Sequence, residues 1–187
     1  MGQYTVIADI SEEIVRVMRR ELAPELVADE STVGLCSPED QDNMTFGIYL
    51  YDIQENDEIR RSQMINVSED KQSYPPAFFS LYYMMTAYSQ SDKKFKMVQE
   101  QRMLGRTARY FHDYPYLEIG GEYIPIQLQK ISTEDKIKLW NFNGKPFQVS
   151  LFYKVAPVKL DSGRFREVTR VRQRDIHMNQ ENGSRRR

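Results

Sequence analysis

The most restrictive feature of the chain is residues 77–88, AFFSLYYMMTAY, where most positions are apolar or aromatic. Side chains alternate between the two faces of an extended strand. One face would carry Phe79, Leu81, Tyr83, Met85 and Ala87, and the other Phe78, Tyr82, Met84 and Tyr88. Since both faces are mainly apolar, the strand must be covered on both sides, by its own fold or by another subunit.

Alternation of apolar side chains predicts three further strands, at residues 45–53, 123–131 and 147–155. In the second of these strands, Pro125 predicts an edge position or a bulge, because proline has no backbone N–H to donate. In the first, one face would carry Phe46, Ile48 and Leu50, and the other Tyr49, Tyr51 and Ile53.

Helical spacing of apolar residues predicts helices at 11–27 and 92–113, with Pro24 ending or kinking the first. The sequence from Ser132 to Asp135 resembles a capped start to a short helix that runs through Trp140. Trp140, Phe142 and Phe147 are expected to be core residues rather than a cage for a ligand. On the second helix, the apolar stripe would contain Met97, Gln101, Leu104, Ala108 and Phe111, with Val98 and Gly105 beside it. Together these elements predict one α+β domain with about four principal strands, two longer helices and one short helix.

The connection at residues 54–76 is long and charged, and it shows no pattern of helix or strand. A loop of this length is unusual inside a domain, so we expect it to be mobile, functional or ordered by a partner. It is either a solvated loop or an electrostatic contact between subunits. The residues for such a contact are Glu55, Asp57, Glu58, Arg60 and Arg61, together with the strand tyrosines Tyr82 and Tyr88.

The formal net charge of −1 is unevenly distributed along the 187 residues. From Lys159 onward there are nine Lys or Arg and four Asp or Glu, a net charge of +5 that leaves −6 for residues 1–158. We therefore divide the chain into an acidic α+β domain, 1–158, and a basic C-terminal arm, 159–187. This division favours binding to a partner or to further copies of the chain.

The arm carries arginines at every second position in two runs, separated mostly by uncharged residues. In an extended strand they would share one face, and that strand could pair with a partner strand and meet carboxylates. The alternative is a solvated, disordered tail. Nucleic-acid binding is disfavoured because the body is acidic and the arm has only one aromatic residue, Phe165. The arginines are Arg164, Arg166, Arg170, Arg172 and Arg174.

Catalytic and metal-binding motifs are not recognisable in the sequence. The single cysteine, Cys36, excludes an intrachain disulfide, and we expect it to be a small buried residue. His112 lies near a predicted helix end, which favours histidine for electrostatic reasons alone, and His177 lies in the arm. We therefore expect no enzyme activity, no metal and no cofactor. The sequence also lacks a signal peptide pattern and a membrane-spanning segment, which favours assembly in the cytoplasm.

Several segments resemble a known family when they are taken in order along the chain. They are YLYDIQENDEIR at 49–60, YPP at 74–76, LYYMMTAYS at 81–89, EQRMLGR at 100–106, FHDYPYL at 111–117 and ISTEDKIKLWNFNGKPFQVSLFYKVAPVKLDS at 131–162. The family is the cap, or tail-terminator, proteins of bacterial extracellular contractile injection systems, which are phage-tail-like particles. The resemblance covers nearly the whole chain, although no single segment is specific alone.

The resemblance implies a structural role rather than a catalytic residue. It implies a mixed, mostly antiparallel sheet with flanking helices, as in phage tail terminators, and a homohexameric ring at the end of the particle distal to the baseplate. Such a ring caps the inner tube and ends the sheath, so the expected partners are further copies, the tube protein and the sheath protein, without nucleic acid or membrane. We expect the arm to dock on the sheath. The alternative is a small adaptor or binding module that uses the polar face of the sheet.

Overall fold

Residues 4–56, 59, 63–141 and 146–168 are described in the computed structural model of the chain. The helices are α1 (Val6–Leu22), α2 (Lys93–Asp113) and α3 (Thr133–Asn141). The strands are β1 (Val33–Leu35), β2 (Phe46–Glu55), β3 (Ile65–Asn66), β4 (Lys71–Ser73), β5 (Ala77–Ala87), β6 (Tyr116–Ile119), β7 (Glu122–Leu128), β8 (Ser150–Leu160) and β9 (Phe165–Glu167).

Two units divide these elements. The first contains the described residues of Met1–Ser62 together with those of Pro76–Asp161, and the second contains Gln63–Pro75 and the described residues from Ser162 to Val168. Strand β8 continues to Leu160, so the first two residues that the sequence assigned to the arm belong to the sheet of the first unit.

The sheet of the first unit has six strands in the order β1-β2-β5-β8-β7-β6. The β1–β2 pair is parallel, and all other neighbouring pairs are antiparallel. This arrangement, with three helices, confirms the predicted α+β class and the mixed, mostly antiparallel sheet. Strands β2 and β5 lie inside the sheet, and β1 and β6 are its two edges.

Helices α1 and α2 supply the cover for the first face of the sheet. The main core cluster joins fully buried side chains of α1, such as Ile14 and Met18, to Leu81, Tyr83 and Met85 of β5. Burial of each such side chain stabilises the fold by about 1.5–3 kcal/mol relative to exposure. The predicted division of β5 into two faces is therefore confirmed for its first face.

The short helix α3 covers part of the second face. Trp140 is fully buried there and packs with Met84, Tyr88 and Phe152. Its start is capped as predicted, because the Ser132 hydroxyl accepts a hydrogen bond from the Asp135 N–H at 3.1 Å. Next to α3, the second face of β5 is therefore covered by the same chain. Trp140 is confirmed as a core residue.

The helix boundaries and the buried stripe of α2 differ from the predictions. Helix α1 begins at Val6 rather than at residue 11, since Val6 is buried and adds a turn to the apolar face. It ends before Pro24, as predicted. On α2 the predicted stripe is wrong at Met97 and Gln101 and, beside it, at Val98 and Gly105, all of which are exposed. The buried positions of α2 are Met103, Leu104, Thr107 and Phe111.

A bulge changes the predicted faces of β2. The register shifts at Tyr51, after which Asp52 lies opposite Tyr82, and Ile53 lies opposite Leu81. Directly opposite residues share a face, so Ile53 turns to the face of Leu81 rather than to that of Tyr51. Tyr49 and Tyr51 pack against the Trp140 cluster, as predicted for that face.

The remaining strands also show local differences. Strand β6 has no counterpart among the predicted strands. Because β6 pairs with β7, the strand of Pro125 is not an edge, and Pro125 stands where β7 stops pairing with β6 and begins pairing with β8. Phe147 precedes β8 and is exposed, so it is not the core residue that was expected. Phe142 lies outside the described residues.

The second unit contains a three-stranded sheet in the order β3-β4-β9. Its strands pair antiparallel, with Ile65 opposite Ser73 and Phe165 also opposite Ser73 on the other side of β4. The charged connection, which showed no pattern in the sequence, therefore contains a short hairpin.

Candidate assembly surfaces

An open groove lies on the second face of the main sheet, next to α3. Tyr51 and Tyr82 form one wall, with their ring centroids 6.1 Å apart, and Lys138 and Leu139 lie on the other. The groove has a volume of about 530 Å³. Tyrosine suits such a position because it combines an apolar ring with a polar tip, a combination that is common at protein interfaces.

Hydrogen bonds fix the polar end of this groove. The Tyr82 hydroxyl donates to the Gln54 side-chain oxygen at 3.2 Å, and the Gln54 amide donates to the Asp52 carboxylate at 2.6 Å. Burial, followed by the nearby charge of Asp52, raises the pKa of Tyr51 to about 12. Tyr51 is therefore neutral at physiological pH, and Tyr82 is half-exposed in the groove.

Tyr88 occupies a different environment from Tyr82. It is 6% exposed, and burial raises the pKa of its hydroxyl to about 12. Its ring packs beside Gly47 and Cys36, where a side-chain atom on Gly47 would lie 3.0 Å from the Tyr88 ring and 2.5 Å from the Cys36 sulfur. Because Tyr88 is covered by its own chain, it supports the sheet at this point instead of presenting a surface to another subunit.

The charged residues that were predicted beside these strands are only partly described. Glu55 is exposed at the end of β2, opposite Phe79. Asp57, Glu58, Arg60 and Arg61 lie outside the residues that the structure describes. The electrostatic contact predicted for this connection therefore stays a prediction.

The start of the basic arm pairs with a strand of its own chain. In β9, Arg166 lies opposite Gln72 of β4, and the Val168 N–H donates to the Asp70 carbonyl at 2.8 Å. The Arg164 guanidinium lies 4.4 Å from the centroid of the Tyr74 ring, a distance that allows a cation–π interaction. Arg170, Arg172 and Arg174 lie beyond the last described residue, 168.

The partner of the arm, β4, was missed in the sequence. Lys71, Gln72 and Ser73 are all polar, so they give no apolar alternation, and their pairing depends on backbone hydrogen bonds. A weak turn signal does precede them. The Ser68 hydroxyl donates to the Asp70 carboxylate at 2.7 Å, a bond that lowers the pKa of Asp70. Short polar residues of this kind commonly mark a hairpin turn.

The described residues offer little chemistry of another kind. Among them, no group of three or more His, Cys, Asp or Glu is placed to hold a metal ion. Cys36 is half-buried as a free thiol, and burial, followed by the charge of Asp40, raises its pKa to about 11. His112 lies in the last turn of α2, as expected. In this part of the chain, no helix has the length and apolar character needed to cross a membrane.

Two solved structures have a fold similar to that of this chain. The sheath/tube terminator of the extracellular contractile injection system PVC, in its extended state, matches 98% of this chain and 66% of its own, with a TM-score of 0.61 and 18% identity. The tube-terminating cap of the anti-feeding prophage matches 91% of this chain and 61% of its own, with a TM-score of 0.63 and 19% identity. The chain thus spans slightly less than two thirds of either protein.

Comparison of the sequence with family models also identifies relatives of this chain. No curated protein matches the chain significantly. A family model does match residues 9–174, which include all but the first three residues of α1, the whole of α2, the six strands of the main sheet and the start of the arm. The chain therefore belongs to the family of the Pvc16 N-terminal domain, in agreement with its resemblance to the cap and tail-terminator proteins of contractile injection systems.

Proposed function

We propose that the protein is a structural cap of a contractile injection system. In this proposal it forms a homohexameric ring on the end distal to the baseplate, ends the inner tube and the sheath there, and anchors the sheath through its C-terminal arm. The observation that carries the proposal is the family match over residues 9–174. Its support is the shared fold with a sheath/tube terminator and with a tube-terminating cap.

The mechanism of termination is steric in this proposal. A closed ring arises when one surface of a subunit binds a different surface of the next and the rotation closes. Once seated, the ring occupies the surface to which the next layer of tube or sheath would add. The Tyr51–Tyr82 groove and Glu55 are exposed, so they are available for contacts with the tube or with a neighbouring subunit.

The arm has a structural basis for sheath binding. Strand β9 is the last strand of the described three-stranded sheet, so its outer edge presents backbone groups to which an extended segment can add. The sheath protein would supply that segment. Arg166 is exposed on β9 and could bind a carboxylate of the added strand, which would contribute charge-assisted hydrogen bonds.

The adaptor hypothesis differs in its predicted assembly. An adaptor would use the Tyr51–Tyr82 groove for one partner and would stay a monomer, whereas a cap must form a ring. Molecular mass in solution, measured with and without the tube protein, separates the two. We expect a mass of six chains when the tube protein is present, and electron microscopy should show rings. A persistent monomer at high concentration in the presence of the tube protein would contradict the proposed function.

A further inference from the structure

The first half of α2 exposes apolar side chains among lysines. Phe95, Met97 and Val98 are 65%, 69% and 47% exposed. At about 3.6 residues per turn, Met97 and Val98 lie on one side of the helix together with Lys94, and Phe95 lies at its border. Residues 93–99 contain three lysines and no acidic residue. We call Lys93, Lys94, Phe95, Met97 and Val98 the helix surface.

The β6–β7 hairpin exposes aromatic side chains among acidic residues. Tyr116 and Tyr123 are 43% and 65% exposed, and their rings meet edge to face with centroids 5.1 Å apart. Residues 113–129 contain three acidic residues and no Lys or Arg. Glu118 and Glu122 are both exposed. We call Tyr116, Glu118, Glu122 and Tyr123 the hairpin surface.

The Arg16 side chain lies close enough to Glu118 for a weak electrostatic interaction. Arg16 of α1 has a raised pKa, caused first by its hydrogen bonds to Glu13 and only weakly by Glu118. Those hydrogen bonds, at 2.7 and 2.5 Å, hold the guanidinium on Glu13. The Arg16 guanidinium is therefore paired with Glu13 rather than with Glu118.

The helix and hairpin surfaces lie at opposite ends of α2. The helix surface begins at Lys93, whereas the hairpin follows the end of the helix at Asp113. Twenty residues of helix separate these ends by about 30 Å, at a rise of about 1.5 Å per residue. Both surfaces are exposed in the single chain, so each is accessible to another copy.

We infer that the helix surface of one copy binds the hairpin surface of the next copy. The two surfaces are complementary in charge, and each brings large apolar or aromatic side chains that the single chain leaves exposed. Since the surfaces differ, the contact is heterologous and generates a ring when the rotation closes. This inference rests on the proposed ring and names the surfaces that form it.

Charge reversal tests the contact on the full chain. One variant combines Lys93→Glu with Lys94→Glu, a second combines Glu118→Lys with Glu122→Lys, and a third carries all four substitutions. Arg109→Glu with Lys130→Glu gives the same change in charge as the first variant, at exposed positions outside both surfaces and outside the Tyr51–Tyr82 groove. The measurement is the protein concentration at half assembly, from mass in solution in the presence of tube protein, and thermal unfolding confirms that each variant folds.

We expect each of the first two variants to raise the concentration at half assembly by about tenfold or more, because like charges then face each other across the contact. The fourfold variant, and an equal mixture of the first two, should restore assembly, and the Arg109/Lys130 control should assemble normally. If wild type forms rings but the reversals do not weaken them, or if the combined charges give no rescue, the inferred contact is wrong and the proposed function stands. If wild type forms no rings, the proposed function fails together with the contact.

Discussion

The hydroxyl groups of Ser11 and Tyr83 lie 2.8 Å apart in the core, between α1 and β5. The Ser11 hydroxyl also donates to the Ile7 carbonyl at 3.0 Å, so the Tyr83 hydroxyl is the donor between the two. This chain of hydrogen bonds satisfies polar groups that are otherwise surrounded by apolar side chains. It therefore fixes the register of α1 on the sheet.

Replacement of Ser11 by alanine should leave the Tyr83 hydroxyl buried without an acceptor. We expect Ser11→Ala to lower the free energy of unfolding by about 1–3 kcal/mol, and Tyr83→Phe to cost less, because Ser11 keeps its bond to Ile7. The double variant should be no less stable than Ser11→Ala alone. Urea unfolding measures all three, and strictly additive effects would show that the two hydroxyl groups are not coupled.

Alkaline pH should destabilise the fold through its buried tyrosines. Burial raises the pKa of Tyr83 and Tyr153 to about 12, compared with about 10 in an unfolded chain. The folded state thus keeps protons that the unfolded state loses, so the contribution of these tyrosines to stability is constant below pH ~10 and falls as the pH rises towards 12. Each such tyrosine contributes up to about 1.4 kcal/mol per pH unit to the decrease in the free energy of unfolding.

Unfolding at a series of pH values tests this origin of the alkaline instability. Tyr153→Phe should make the fall in stability less steep, because one buried titrating group is removed. Tyr4→Phe is the matched control, since the Tyr4 side chain is 88% exposed and is not part of the core. Equal steepness in both variants would contradict the assignment.

Gly47 should tolerate no side chain, because its neighbours are already in close contact. Gly47→Ala would place a carbon atom 2.5 Å from the Cys36 sulfur and 3.0 Å from the Tyr88 ring, which we expect to cost about 1–3 kcal/mol in overpacking. In contrast, Gly105 lies in the interior of α2 with no such atom within 4 Å. Gly105→Ala should therefore stabilise the fold by about 0.5–1 kcal/mol. Urea unfolding of both variants would refute this account if their effects had the same sign.

Two truncations test whether β9 takes part in sheath binding. Removal of residues 169–187 keeps β9, whereas removal of residues 164–187 also removes the strand that pairs with β4. We expect the longer truncation to release the cap from the sheath, because the edge to which a sheath strand adds is lost. Electron microscopy of purified particles measures the fraction that keeps a cap. A normal fraction of attached caps after the longer truncation would show that the arm does not anchor the sheath.

The parts of the fold that depend on apolar alternation could be predicted from the sequence. Leu81, Tyr83 and Met85 face the main core and Met84 faces Trp140, as the pattern indicates. The bulge at Tyr51 could not be predicted, because one extra residue in a strand leaves no mark in residue type.

Two features of the candidate surfaces could not be predicted from the sequence, for different reasons. The pairing of β4 with β9 depends on backbone hydrogen bonds between polar segments, which carry no hydrophobic period. The exposure of Met97 was missed because helical periodicity indicates which side of a helix is apolar. It does not indicate how far along the helix the covering layer extends, and the first buried residue of α2 is Met103.

The most direct test of the proposed cap is the structure of the distal end of particles assembled with and without this protein. Electron microscopy of particles built from their own baseplate, tube and sheath proteins would give the length distribution and the density at that end. The account predicts one narrow length and a ring at the distal end when the protein is present, and variable lengths with open ends when it is absent. Unchanged lengths and closed ends in its absence would contradict the proposed function.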